Sequence, residues 1–193
     1  MMKISTLSVL SLLLFTCVTI QVHSEYYSKQ TSNGFHLKEK VTHLHFYFFD
    51  ILGGNKPTAV EVARPNTTIG SKSSISPFGH VYAIDDILRE GPDANSKVVG
   101  NAQGLYLSSS LDKVASLVVY IDYEFTTGKF KGSSISLFSR NPVSEKTTNR
   151  ELAVVGGRGK FRMARGFAEC RTHYLNFTSG DAIVEYNVTV VHY

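Results

Sequence analysis

Carboxyl residues stand where two predicted strands end, and carboxyl groups are common acids and bases in enzyme sites. Asp50 follows the most aromatic segment of the chain, residues 41–49, and Asp85 and Asp86 follow a second strand-like segment. A carboxyl group at the rim of an aromatic pocket loses hydration, which raises its pKa and lets it exchange a proton near neutral pH. The alternative is that these aspartates accept hydrogen bonds from the backbone of turns. The pattern alone leaves both interpretations open.

Histidine and glycine patterns indicate neither a metal site nor a nucleotide site. His43 and His45 share one face of a predicted strand, but no acid or third histidine follows at a recognisable spacing, so we expect wall residues and no metal. Residues 156–159, Gly-Gly-Arg-Gly, precede a strand-like segment and predict a hairpin turn instead of a phosphate-binding loop. No Gly-x-Ser-x-Gly elbow occurs. We predict no cofactor.

Basic residues are spread along the chain, whose formal net charge is +4. No run is dense enough for a nucleic-acid groove, so we expect no nucleic-acid partner. One cluster is predicted to alternate along a strand and to form a solvated face: Arg158, Lys160, Arg162 and Arg165. Attraction to an acidic wall polymer is the alternative reading of this cluster.

The first 24 residues have the layout of a secretory signal peptide. Lys3 precedes an apolar run at residues 7–20, and small residues occupy positions −3 and −1 of a cut before Glu25. The run is too short for a membrane-spanning helix, and a buried amphipathic helix is the alternative. We therefore predict a secreted protein with no membrane partner. Its parts are a signal peptide at 1–24, a loose arm at 25–40 and one domain at 41–193.

Cysteine and asparagine patterns are consistent with secretion. Cys17 would leave with the signal peptide, so Cys170 would remain alone and could close no internal disulfide. Sequons for N-glycosylation begin at Asn66, Asn176 and Asn187. Each can carry a glycan where its asparagine faces outward. Stability must then come from packing or association.

The remaining pattern is a series of short strands with almost no helical periodicity. Aromatic and β-branched segments are separated by Gly, Pro, Asn and Asp. The predicted strands lie at residues 41–49, 58–63, 79–84, 97–107, 114–125, 133–138, 151–155, 160–172 and 182–193. Eight or nine such strands predict an all-β, antiparallel barrel or sandwich.

The last predicted strand favours a barrel. One of its faces is apolar and the other mixes polar and apolar residues; the apolar face carries Ala182, Val184, Tyr186, Val188 and Val190. A barrel with a packed outer layer and a partly polar interior gives this pattern, and so does a half-solvated sheet. A closed barrel has no exposed edge, which suits a domain without disulfides.

Beyond these patterns, the chain resembles the plant dirigent proteins. The resemblance begins with residues 43–51, His-Leu-His-Phe-Tyr-Phe-Phe-Asp-Ile, and continues with residues 57–60, Pro-Thr-Ala-Val. Further segments keep the family's order and spacing at residues 78–79, 85–86, 91–92, 96–100, 102–106, 140–142, 154–157, 164–166 and 184–188. They extend over nearly all of the predicted domain.

The resemblance implies an eight-stranded antiparallel barrel of the calycin-like or allene oxide cyclase-like type. It implies a secreted, apoplastic protein that acts on phenylpropanoids, without a cofactor, as a trimer or alternatively as a dimer. In dirigent proteins a separate laccase or peroxidase generates phenoxy radicals. The pocket holds two radicals in one pose, so that they couple with one handedness.

The resemblance also implies roles for five residues. Asp50 would stabilise or protonate a quinone methide, Tyr106 would hydrogen-bond the substrate, and Arg150 would orient a phenolic oxygen or an acid. Asn141 and Thr172 would contribute to substrate binding. Asn141 stands where lignan-forming relatives have a second aspartate, so one of two expected acids is missing.

Three functions remain open at this point. The first is a stereochemical guide for radical coupling, for example of coniferyl alcohol. The second is a dehydratase-cyclase that converts an isoflavanol through a quinone methide, because residues 140–142, Arg-Asn-Pro, resemble the branch that includes pterocarpan synthases. The third is a barrel that binds a phenolic in defence or lignification without directing chemistry.

Besides Asn141, four residues depart from the family pattern: Phe49, Ile87, Asn101 and His173. Phe49 replaces a histidine beside Asp50. Alternation points residues 49 and 50 to opposite faces, so we expect Phe49 to affect outer packing more than the pocket.

Overall fold

The structure is a computed structural model and describes residues 37–67, 69, 77–111, 115–143 and 149–193. The predicted signal peptide at 1–24 and the arm up to residue 36 lie outside the described residues. No helix in the described ranges is long and apolar enough to cross a membrane.

Nine strands and two single-turn 3₁₀ helices form the described part of the chain. The strands are β1 Lys40–Asp50, β2 Ala59–Ala63, β3 Val81–Arg89, β4 Val98–Ser108, β5 Leu117–Phe125, β6 Ser133–Asn141, β7 Arg150–Arg158, β8 Arg165–Leu175 and β9 Ala182–His192. The 3₁₀ turns are Gly128–Phe130 and Gly159–Phe161. The all-β prediction is confirmed.

The strands form a closed antiparallel barrel. Their order is β1-β9-β8-β7-β6-β5-β4-β3-β2, and a further pairing of β1 with β3 closes a ring of eight strands. β2 continues along β3 beyond the point where β1 leaves it. Closure gives every ring strand a hydrogen-bonded neighbour on both sides, so the barrel needs no disulfide to protect an edge.

The barrel interior is apolar and aromatic. In β9, Tyr186, Val188 and Val190 are buried while Asn187 is exposed, so the apolar face points inward and the mixed face points outward. Neither explanation offered for this alternation describes β9 itself, since its inner face is the apolar one and its mixed face is the outer one. The hydrophobic effect places the apolar face where water is excluded.

Aromatic side chains close one end of the barrel. Phe161, from the turn between β7 and β8, is fully buried against Phe125, Phe130 and His192. β1 begins at this end and finishes at the other end, which stays open. In the described part of the chain, only this open end can admit a ligand to the barrel interior.

Two strands, β3 and β7, extend beyond their predicted ends. β3 runs on to Arg89, so Asp85 and Asp86 lie in mid-strand, because β3 pairs with β4 along its whole length. β7 continues through Gly157, whose backbone approaches that of a neighbouring strand so closely that a Cβ would lie 2.6 Å from the Ser134 oxygen. The turn therefore begins at Gly159, three residues later in the chain than predicted.

This later turn changes the reading of the basic cluster. Arg158 ends β7, Lys160 and Arg162 lie in the turn and Arg165 begins β8, so the four residues do not alternate along one strand. All four are exposed. The prediction of a solvated location is confirmed, and the prediction of a strand face was wrong.

Candidate active site

A cavity of about 340 Å³ lies inside the open end of the barrel. This volume falls near the lower end of the roughly 300–1,000 Å³ typical of small-molecule sites. Much of its wall is apolar and comes from residues of β1, β5 and β9: Phe48, Leu117, Val119, Ile121 and Val184. Polar side chains concentrate in two groups on opposite sides.

The first group, the acid pole, consists of Asp50, Tyr106 and Tyr82. The Tyr106 hydroxyl donates to Asp50 Oδ1 over 3.5 Å. Tyr82 lies directly opposite Tyr106 in the β3–β4 ladder, and the two rings stack with centroids 5.0 Å apart. Asp50 ends β1 on the same face as Phe48, and both side chains line the cavity at the open end of the barrel.

The environment of Asp50 favours its protonated form. Burial raises the pKa of the carboxyl to about 7, the nearby Asp181 carboxylate acts in the same direction, and the Tyr106 hydrogen bond opposes both. Burial and the charge of Asp50 raise the pKa of Tyr106, which therefore remains a neutral donor. Asp50 can thus give or take a proton near neutral pH.

The second group, the guanidinium pole, consists of Arg150, Asn141 and Thr172. Arg150 donates from Nε to Asn141 Oδ1 and from Nη1 to Thr172 Oγ1, both over 2.9 Å. It is 6% exposed, and no ion pair among the described residues includes it. A buried cation held by two neutral acceptors favours a ligand oxygen that carries negative charge.

The closed strand order places the two poles across the barrel from each other. In the ring of eight, β6 with Asn141 lies four strands from β1 with Asp50. Likewise, β8 with Thr172 lies four strands from β4 with Tyr106. A ligand that spans the cavity therefore meets a proton donor at one side and a cation at the other.

The five residues predicted for the site, Asp50, Tyr106, Arg150, Asn141 and Thr172, all line this one cavity. Their chemical roles remain predictions. Sequence reasoning missed Tyr82, Phe177 and Tyr186, which also line the cavity. For Tyr82 the signal was present, since alternation along β3 places it on the same face as Ile84.

Two histidines lie outside the pocket. His43 and His45 are exposed on the outer face, where His43 Nδ1 lies 3.2 Å from Thr189 Oγ1 and His45 Nε2 lies 3.0 Å from Glu185 Oε1. They do not line the cavity wall. Among the described residues no group of three or more His, Cys, Asp and Glu could hold a metal ion.

Two of the departures from the family pattern also lie outside. Phe49 does not line the cavity, and the Arg89 guanidinium lies 5.5 Å from its ring centroid. This position agrees with the expectation of outer packing. His173 is exposed and packs edge-on against the Tyr47 ring.

The predicted glycosylation asparagines differ in access. Asn66 and Asn187 are exposed. Asn176 is half-buried, and its side-chain oxygen accepts backbone N–H bonds from Thr178 over 2.8 Å and from Ser179 over 3.3 Å. These contacts fix the side chain within its own turn.

Comparison with known proteins agrees with this architecture. Residues 41–191 match the profile of the family described as Dirigent-like protein. Dirigent protein 15 of Arabidopsis thaliana is 46% identical over 190 residues, which cover 98% of this chain and 99% of that protein. Pterocarpan synthase 1 of Glycyrrhiza echinata is 47% identical over 156 residues, 81% of this chain and 80% of that protein.

A solved structure shows the same barrel. The pterocarpan synthase dirigent protein GePTS1 superposes with a TM-score of 0.74 at 46% sequence identity, covering 81% of this chain and 87% of that chain.

Proposed function

The chain belongs to the dirigent family, and on this premise we propose that it binds a phenolic quinone methide and controls the face on which an internal hydroxyl closes a ring. The reaction we favour is the dehydration and cyclisation of an isoflavanol to a pterocarpan. The observation that carries this proposal is the pair of opposed poles, with an acid of raised pKa at one side and, at the other, a guanidinium that forms no ion pair with any described residue.

Each pole has a task in this reaction. Asp50 gives its proton to the benzylic hydroxyl, which leaves as water, while the substrate phenol loses its proton to solvent and becomes the quinone methide carbonyl. Arg150 stabilises the oxygen on which negative charge accumulates. A second phenol then attacks the benzylic carbon and gives its proton to Asp50, and the first phenol regains a proton from solvent. One water is lost and the protein is unchanged.

The cavity wall accounts for handedness. The apolar surface between the poles excludes water, so the planar quinone methide is attacked by its own hydroxyl and not by solvent. Contacts at both ends of the ligand hold one face toward the internal nucleophile. Stacking on Tyr82 and Tyr106 supplements these polar contacts.

Asn141 supports cyclisation over radical coupling. An aspartate at this position would pair with Arg150 and satisfy its charge, whereas the amide accepts only the Nε hydrogen bond. The guanidinium is then available to a ligand oxygen. Two relatives named pterocarpan synthase 1, from Glycine max and Glycyrrhiza echinata, are 46% and 47% identical to this chain.

Incubation of the purified protein with an isoflavanol in the absence of any oxidant tests the proposal. We expect protein-dependent loss of the isoflavanol and formation of one pterocarpan enantiomer. No loss of substrate above the rate in buffer would reject the cyclase function.

Stereochemical guidance of radical coupling is the second candidate. It is favoured by aromatic rings on several sides of the cavity, Phe48, Tyr106, Phe177 and Tyr186, on which two separate phenoxy rings could stack. A laccase or peroxidase would supply the radicals. The test is one-electron oxidation of coniferyl alcohol with and without the protein, followed by chiral separation of the pinoresinol. An enantiomeric excess supports this function, and binding with a racemic product supports a non-directing phenolic carrier.

We also propose secretion to the apoplast with glycans on Asn66 and Asn187. This rests on the signal-peptide pattern and on the exposure of both asparagines. Enzymatic deglycosylation of the protein collected from the medium of plant cells should lower its mass. If N66Q/N187Q had the same mass as the wild-type protein, the glycan assignment would be wrong. Retention of the protein inside the cell would contradict secretion.

The outer face supports self-association, for which we favour a trimer. Apolar side chains lie in register across five adjacent strands, β2 to β6, and form the outer row Val60, Ala83, Leu105, Tyr120 and Phe138. Four of the five are exposed. Sedimentation should show that Phe138→Asp dissociates the oligomer while Val155→Asp, at another exposed apolar position, does not. A monomeric wild-type protein would reject self-association.

A further inference from the structure

A second inward-facing carboxyl group, that of Asp86, lies beside the acid pole. In β3, Ile84, Asp86 and Leu88 are buried on one face, and Asp86 is 0% exposed. It does not line the cavity. An acid is rarely fully buried among apolar side chains, so a function for it is expected.

The β1–β3 register makes Asp50 the cross-strand neighbour of Asp86. The ladder ends with the pairs Tyr47–Arg89, Phe48–Leu88 and Phe49–Ile87. The next position of the same register joins Asp50 to Asp86. Side chains opposite one another in an antiparallel pair point to one face with Cβ atoms about 4.5–5.5 Å apart. The two carboxyl groups therefore enter the barrel side by side.

Thr58 fixes this pair at the point where β1 leaves β3. Its hydroxyl accepts the Ile51 N–H over 3.2 Å and donates to Asp86 Oδ1. Its backbone oxygen accepts the Asp85 N–H, and its own N–H donates to the Ile51 oxygen, both over 2.8 Å. The carboxyl of Asp86 is thereby tied to the peptide that follows Asp50.

The second oxygen of Asp86 indicates its protonation state. Oδ2 is buried and has no hydrogen-bond partner among the described residues. A buried anionic oxygen without a donor is costly. We therefore place the proton of the Asp86 carboxyl group on Oδ2. Burial, and after it the charge of Asp50, raises the pKa of Asp86 to about 8, against the Thr58 hydrogen bond.

None of the titratable groups that act on the Asp50–Asp86 pair among the described residues is a cation. The described groups that act on it are Tyr82 and Asp85 on β3, Tyr106 on β4, Tyr123 on β5 and Asp181 before β9. The three tyrosines stay neutral, since burial raises the pKa of each. No ion pair among the described residues includes either member. Repulsion between two negative charges is therefore uncompensated.

We propose that Asp50 and Asp86 form a carboxyl dyad that holds two protons and keeps the second after it has released the first. Asp50 contacts the ligand, and Asp86 is a positioning residue that acts through Asp50. The use of this proton rests on the proposed function. When Asp50 protonates the leaving hydroxyl, the Asp86 O–H donates a hydrogen bond to the new carboxylate. The proton released by the attacking phenol then returns to Asp50. Like charges in one site separate the two ionisation steps.

Infrared difference titration of the ligand-free protein tests the dyad without reference to any reaction. The carbonyl band of protonated carboxyl groups is followed from acid to alkaline pH in the wild type, in Asp86→Asn and in Asp85→Asn. Asp85→Asn is the matched control because it removes the neighbouring carboxyl, which is exposed on the outer face. We expect two steps near or above neutral pH in the wild type and the control, and one in Asp86→Asn. A single wild-type step, or two steps in Asp86→Asn, would overturn the proposal.

Thr58→Val provides a second variant that keeps both carboxyls. The Thr58 hydrogen bond favours ionised Asp86, so its loss should move the upper step to higher pH and leave the lower step nearly unchanged. An unchanged upper step would contradict the assignment. If the two titration steps are present but neither the wild type nor any variant converts an isoflavanol, the dyad is supported and the proposed cyclase function is rejected.

Discussion

Arg150 donates its Nε hydrogen to the side-chain oxygen of Asn141 over 2.9 Å, so a neutral amide holds the buried guanidinium where an acid could have stood. The consequence is a pocket with a buried positive charge opposite a carboxyl group of raised pKa. This arrangement suits a ligand whose oxygen gains negative charge at one side while a leaving hydroxyl is protonated at the other.

Asn141→Asp should weaken cyclisation. The new carboxylate would pair with Arg150 and withdraw it from the ligand oxygen, so we expect turnover to fall about 100- to 1,000-fold, the range for loss of one electrostatic contact in a transition state. Steady-state rates with an isoflavanol measure the effect. Asn95→Asp, in an exposed turn, is the charge-matched control and should retain the wild-type rate. Undiminished turnover in Asn141→Asp would show that Arg150 does not act through its free charge.

Tyr106→Phe should move the pH dependence of turnover upward. The Tyr106 hydroxyl stabilises ionised Asp50, so removing it raises the pKa of the carboxyl further. The ring and its stack on Tyr82 remain. The pH–rate profile is the measurement, and Tyr120→Phe, on the outer face, is the control. A downward shift would mean that Tyr106 does not donate to Asp50.

The free energy of unfolding should fall as pH rises from about 4 to about 8. Asp50 and Asp86 have raised pKa values in the folded state, so the fold retains protons that the unfolded chain has already released. Their stabilising contribution is complete below the unfolded pKa and lost as pH passes the folded pKa. The slope is at most about 1.4 kcal/mol per pH unit for each group. Urea titrations across this range should show a shallower fall in Asp86→Asn, and an equal slope would contradict this account.

Phe161→Ala should destabilise the closed end of the barrel by about 3–5 kcal/mol, because it leaves a cavity where a fully buried ring packs against three other rings. Denaturant unfolding measures the loss. Phe167→Ala, at a partly exposed outer position, is the matched control and should cost much less. Similar losses in both variants would show that Phe161 does not seal the core.

The sequence was sufficient for the barrel because alternation and turn residues are local signals. The strand ending at Asp50 was predicted correctly, since its aromatic run stops at the glycine-rich turn that follows. Asp86 was misplaced at a strand end because two adjacent acids usually indicate a turn. Only the pairing of β3 with β4, a non-local contact, shows that the strand continues past them.

The location of the site residues came from family resemblance, and their geometry came from the barrel. Arg150 and Tyr106 are far apart in sequence, and only ring closure brings both to one cavity. Gly157 was assigned to a turn because glycine is common in turns. Its actual role, a close approach to the Ser134 backbone, is a tertiary feature that the sequence does not show. The Asp50–Asp86 neighbourhood likewise depends on the register of strands that are separated by β2 in the chain.

Oxidant-free conversion of an isoflavanol by the wild type and Asp50→Asn, with chiral separation of the product, tests the central claim most directly. We expect one pterocarpan enantiomer from the wild type and a rate about 100- to 10,000-fold lower from Asp50→Asn, because the amide cannot give up a proton. Circular dichroism should show the same fold for both. Equal turnover by the two proteins, or a racemic product from the wild type, would contradict the account.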